Sequence, residues 1–87
     1  MNNSAEKRWR FTLLKNLEDS VLSLLNELIM AKNAPKSLKS AYLIRASSHL
    51  ETSILKLRLC LELKITNETK IFQIQAKTAE AGRMLGG

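Results

Sequence analysis

The stretch KSLKSAYLIRASSHLETSILKLRLCLELK, Lys36 to Lys64, decides the fold. It holds no Gly or Pro, and its apolar residues recur at three- and four-residue steps, so it predicts one long helix. At about 100° per residue, Leu43, Ala46, Leu50, Ile54, Leu57 and Leu61 gather on one side, with Ser53 among them. A second apolar set, Leu55, Leu59 and Leu63 with Ile44 not far round, lies opposite or oblique to the first. From Ile54 onward the helix is apolar on most sides, and helices of that type are buried on several faces. Three helices hardly cover it. The surplus predicts an oligomer or an obligate partner, with Leu55, Leu59 and Leu63 at the contact.

The segments on both sides are shaped to pack against this helix. Asn3 with Glu6 three residues on forms a capping-box pattern, so a first helix is expected from about Ser4 to Lys32. Leu14, Leu17, Val21, Leu24 and Leu28 give it an apolar stripe, which Leu13, Leu22, Leu25 and Ile29 widen. Asn33-Ala34-Pro35-Lys36 is a break: Asn33 ends one helix, and Pro35 suits the first turn of the next. So short a connection makes the first two helices antiparallel neighbours. Ile65-Thr66-Asn67-Glu68 is a second break, with Thr66 as N-cap and Glu68 complementing the helix dipole. A third helix is expected over 67–85, with Ile71, Ile74, Thr78, Ala81 and Leu85 inward and Phe72 beside them. Ala79, Ala81 and Gly82 make its last turns small, which allows a close helix approach, and Gly86 and Gly87 stop it. The expectation is all-α: an antiparallel helical bundle of three helices forming a single domain, 4–86.

The totals narrow the function. A chain of 87 residues supports one small domain with a modest core. Cys60 is the single cysteine, which excludes an internal disulfide and leaves a zinc site without its usual thiolates. No apolar run reaches the ~18 residues of a membrane span. The opening MNNSAEKRWRF has no apolar region after its basic residues, so it is not a secretory signal, and the cytoplasm is the default location. The net charge of +6 points to an anionic partner such as nucleic acid, though the same charge also serves solubility alone. Aromatic residues are only 5% of the chain, which argues against base stacking and leaves phosphate contacts as the mode.

Lys7, Arg8, Arg10 and Lys15 crowd the first turns of the first helix, where the dipole disfavours cations. They are either tolerated at a frayed end or retained for an anion. Trp9 and Phe11 alternate with the arginines, a pattern that marks either an RNA contact or the cap of a core. Arg45, His49, Thr52 and Lys56 form a polar stripe on the second helix. His49 is the only histidine and has no acid or cysteine at ligand spacing, so a surface or interface role suits it best. Cys60 sits between apolar residues and fits a small buried hydrophobe better than a nucleophile. No carboxylate pair, phosphate loop, nucleophile triad or metal cluster is present at a recognisable spacing. The expectation is a protein that is not an enzyme, with no cofactor, no metal and no small-molecule substrate.

Two stretches carry a resemblance. KLRLCLELKIT, Lys56 to Thr66, resembles the third-helix signature of a family of small bacterial four-helix-bundle proteins. AEAGRMLGG, Ala79 to Gly87, resembles that family's closing motif: an acid, then Gly-Arg, two apolar residues and Gly-Gly. RFTLLKNLEDSVLSLLNELIMAKN, Arg10 to Asn33, has the same Arg-aromatic start, long amphipathic helix and Ala-x-Asn close. The family comprises accessory variability determinant proteins of diversity-generating retroelements and the related proteins of ribosomal RNA intervening sequences. The GRMLGG ending favours the first branch. That resemblance implies a ring-forming homo-oligomer, a pentamer in the known case. It implies partners too: a reverse transcriptase and its template RNA, or a DNA/RNA hybrid, held on a basic surface. By position, Arg58 and Arg83 match family arginines, whereas Glu62 stands where relatives can carry another. The nucleic-acid candidates are therefore Lys7, Arg8, Arg10, Arg45, Lys56, Arg58 and Arg83. The family also has a helix before the one expected from Ser4, so a groove left open for a subunit or partner is expected here. The alternative is a structural oligomerisation module of the intervening-sequence branch, with no specific nucleic-acid role.

Overall fold

The computed structural model describes residues 3–65 and 67–86, with side chains from Lys7 onward. Three helices make up nearly all of it: α1 (Asn3–Asn33), α2 (Lys36–Glu62) and α3 (Glu68–Gly86). No strand occurs among the described residues, and the chain is all-α. Among the described residues no helix is long and apolar enough to cross a membrane.

The α1 stripe is buried as the periodicity requires: Leu14, Leu17, Val21, Leu24 and Leu28 all face the interior, and Ala31 continues them. Two clusters form the core. In one, Leu14, Leu17 and Val21 meet Cys60, Ile65, Ile71 and Ile74. In the other, Leu24 and Leu28 meet Ala46 and Ala81. Rising numbers in α1 meet falling numbers in α2 and rising numbers in α3, so α2 runs against both neighbours. The resulting body measures 55 × 19 × 16 Å.

α2 departs from expectation. Its fully buried positions are Ala46, Ser53 and Cys60, each 0% exposed and seven residues apart. Leu50 and Leu57 are only partly buried beside them. Leu43, Ile54 and Leu61, expected on the buried stripe, are exposed. The cause is volume. α1 fills the interior with leucines, and a close-packed core then has room only for small side chains opposite. α2 is therefore rotated so that a small ridge faces α1 and its bulky residues turn away. Leu22 and Ile29 of α1, expected to widen the inner stripe, are exposed as well, while Leu25 stays partly buried.

The helix ends show which local chemistry fixed the boundaries. Asn33 closes α1 by donating its Nδ2 to the Ile29 carbonyl at 2.9 Å. α2 begins at Lys36, as expected, and Pro35 is its N-cap rather than a residue of its first turn, with φ −58° and ψ 152°. Its carbonyl accepts from the N–H groups of Leu38 and Lys39 at 2.9 and 3.1 Å. α2 stops at Glu62, two residues short of Lys64. Lys64 adopts φ 55°, and its N–H donates to Leu61 while that of Ile65 donates to Cys60. These are the two bonds of a Schellman stop, here with lysine at the position glycine usually takes. A left-handed lysine costs about 1–2 kcal/mol. Burial of Ile65 against Cys60 in the core offsets it.

α3 is capped by Asn67, whose Oδ1 accepts from the Lys70 N–H at 3.1 Å. Thr66, the expected cap, lies outside the described residues, as do the side chains of Asn3 and Glu6 and all of Gly87. The inner face of α3 is as expected: Ile71, Ile74, Thr78 and Ala81 are buried. Gly82 is not at a close approach, because a Cβ there would meet nothing within 4 Å; the small residue that faces the core is Ala81. Gly86 is the last residue of α3.

Candidate nucleic-acid interface

The cations singled out in the sequence fall in separate places. Lys7 and Arg8 are exposed on the first turns of α1, and Arg10 is half-buried there. Lys7 and Arg10 share a shallow concavity of about 490 Å³ with Phe11, Leu14, Ile65 and Asn67. That puts them at the end of the molecule where α2 finishes and α3 begins.

Arg45 and Lys56 lie on the opposite side of α2 from Leu43 and Ile54, about three turns apart. The Arg45 guanidinium sits 5.8 Å from the Tyr42 ring centre, a cation–π contact that holds the charge near the surface. Lys56 is half-buried and donates to the Ser20 hydroxyl at 2.6 Å, tying α2 to α1. It lines a polar groove of about 650 Å³ with Ser20, Ser23, Ser48, His49 and Thr52. Asp19 is the acid of that groove. Hydroxyls with one lysine and one histidine can bind an anionic or hydroxyl-bearing ligand by hydrogen bonds. Ser53 Oγ and Glu27 Oε2 are buried with no hydrogen-bond partner among the described residues.

Arg58 is exposed on α2 and does not line that groove. Arg83 is exposed at the far end of α3 and pairs with Glu80 one turn earlier. The single chain thus brings Lys7 near Arg10 and sets Arg45 on the same side as Lys56. It leaves Arg58 and Arg83 apart from both pairs. Other cations are committed to acids. Lys15 lies 3.7 Å from Asp19, and Lys70 lies 2.7 Å from Glu18. The hydrogen bond from Lys70 holds the Glu18 carboxyl below its ordinary value of 4.5.

One cationic region escaped the periodicity. From Leu28 to Leu50 the sequence has no Asp or Glu, yet carries Lys32, Lys36, Lys39 and Arg45. The fold turns this stretch into the α1–α2 hairpin end. Lys32 and Lys39 meet there with Leu28, Ala31, Leu43 and Met84 around a concavity of about 440 Å³. The signal was present in the sequence as a gap in the acids, which no apolar pattern registers.

The leucines expected at a contact are on the surface. Leu55 is 64% exposed, and Leu59, Leu63 and Ile44 are exposed with it. The groove between α1 and α2 is polar instead, so the apolar surplus lies on the outer sides of α2. Cys60 is buried, and burial pushes its thiol above its ordinary value. Among the described residues no three of His, Cys, Asp and Glu are grouped to hold a metal. The chain matches no protein-family model, no curated protein and no solved structure.

Proposed function

We propose that this chain is a non-catalytic accessory subunit that binds RNA through its basic surface and is covered by another protein chain along α2. The observation that carries the RNA half is the charge of +6 on a chain whose named cations Lys7, Arg8 and Arg58 stand on exposed positions. Phosphates are the partner such point charges suit, because neutralising them releases condensed counterions. The finer reading, a helper of a reverse transcriptase and its template RNA in retroelement-driven diversification, rests on the resemblance of KLRLCLELKIT and AEAGRMLGG. In that reading the protein surface of α2, with Leu55, Leu59 and Leu63 exposed, meets the polymerase.

A filter-binding titration with structured RNA tests this. The expected result is binding that weakens steeply with salt, with a shallower slope when Lys7 and Arg8 become glutamine. Absence of RNA affinity at low salt, together with no association with a cognate reverse transcriptase, removes the reading.

A second reading has its own support. The seven candidate cations are spread over both ends and several sides of the molecule, as expected of a structural oligomerisation module whose charge serves solubility. In that case changes at Lys7, Arg8 and Arg58 leave assembly unaltered and there is no RNA binding to lose.

A further inference from the structure

The run RWRF, Arg8 to Phe11, left two roles open for its aromatics, an RNA contact or the cap of a core. The fold excludes the second. Trp9 is 51% exposed and Phe11 65%, and neither joins a core cluster. Two residues apart on a helix, they point about 200° apart, so they face different surroundings. Phe11 shares its side of α1 with Lys7, Arg10 and Leu14, at steps of three and four residues. These four line the concavity that Ile65 and Asn67 complete at the start of α3. Leu14 and Ile65 are buried and form its floor, while Lys7 and Phe11 are exposed at its rim. Asn67 is fixed there because its Oδ1 caps α3. No acid lines this concavity, whereas Glu18 and Asp19 line the two seams of α1. The lysine pair at the hairpin end also lacks an acid, but only aliphatic side chains and Met84 surround it. The α1 start is thus where an open aromatic face and cations meet in one hollow.

We infer that this concavity seats one unpaired nucleotide of RNA, its base stacked on the Phe11 ring and its phosphate against the Lys7 ammonium. The inference rests on the RNA-binding reading and deepens it, from a charged surface to a site that tells unpaired from paired RNA. Every base has a π face, so an aromatic ring accepts any of them, provided that the base is free of its own stack. A base inside a duplex is already stacked on its neighbours and offers only phosphate to Lys7. A platform for a long single strand needs a row of aromatics, which a chain with 5% aromatic residues lacks. One nucleotide needs one ring.

The 87-residue chain is titrated by fluorescence anisotropy against two RNAs of equal length, a fully paired duplex and a single strand that cannot pair with itself. Phe11→Ala weakens binding of the single strand about tenfold and leaves the duplex unchanged. Phe11→Tyr keeps the single-strand affinity. Phe11→Leu loses it as alanine does, because leucine keeps apolar surface but has no π face. Lys7→Gln weakens both RNAs and lowers the salt slope of each by about one. Trp9→Ala, on the other side of α1, changes neither. Circular dichroism on each variant checks that the helices are intact. Equal losses on both RNAs in Phe11→Ala overturn the inference, as does full single-strand affinity in Phe11→Leu. Phe11→Ala that breaks up an RNA-free oligomer in sedimentation equilibrium, with both RNA affinities unchanged, assigns the ring to a protein contact and overturns it too. In each of these cases the RNA-binding reading stands. Failure of the unaltered chain to bind either RNA at low salt removes both.

Discussion

α1 and α2 are similar in length and both rich in leucine, yet they are used in opposite ways. α1 turns Leu17 and Leu24 fully inward. α2 turns Ala46, Ser53 and Cys60 inward and sends Leu43, Ile54, Leu55, Leu59 and Leu61 out. The difference follows from sharing one small core. Once α1 has filled it, the helix opposite gains more by approaching closely than by adding volume. An inner heptad of small residues is therefore the counterpart of an outer surface of large ones. A single chain then has a leucine-filled interior and an apolar exterior, and α2 carries the apolar exterior.

Changes on the two helices break this comparison to different degrees. The largest effect is expected from Leu24→Ala, which empties a fully buried site and lowers the unfolding free energy by about 2–5 kcal/mol in urea titrations. Leu55→Ala, the same chemistry on an exposed site, leaves the fold of the isolated chain within about 0.5 kcal/mol. The next effect is the reverse substitution. Ala46→Leu forces volume into the small ridge and costs about 1–3 kcal/mol in the same titration. If it were tolerated, α2 would not be held close to α1.

Ser53→Ala sharpens the comparison in the other direction. The hydroxyl is buried without a partner among the described residues, so its removal raises stability by about 1 kcal/mol. The smallest effect is at the α1–α3 contact. Lys70 lowers the folded-state pKa of Glu18. Its contribution is complete above the ordinary value of 4.5 and disappears as pH falls through the lowered folded value. Glu18→Gln therefore flattens the acid limb of a stability–pH profile slightly. The change shrinks in high salt, because both side chains are partly exposed.

The same comparison explains what the sequence made legible. The α1 stripe was readable because its apolar residues at Leu14, Leu17, Val21, Leu24 and Leu28 are also its buried ones. The inner face of α3 was readable for the same reason. The orientation of α2 was not, because apolar residues surround it and periodicity then selects no single face. What selects the face is the volume left by α1, a property of the pair rather than of either segment. The stop at Glu62 was hidden similarly: a Schellman turn is expected at glycine, and here a lysine takes it because Ile65 is anchored in the core. At the candidate interface, Lys32, Lys36 and Lys39 were visible as residues but not as a group. A hairpin connection had to bring the acid-free stretch to one end. Arg58 and Arg83 came from resemblance, and the fold of one chain keeps them apart.

The central proposal is that another chain covers the exposed apolar sides of α2. Light scattering of the 87-residue chain across a dilution series tests it most directly. The account predicts a mass of at least two 9.8 kDa chains, falling toward one only on dilution. A single-chain mass at high concentration, with full helix content and a cooperative melt, would contradict it.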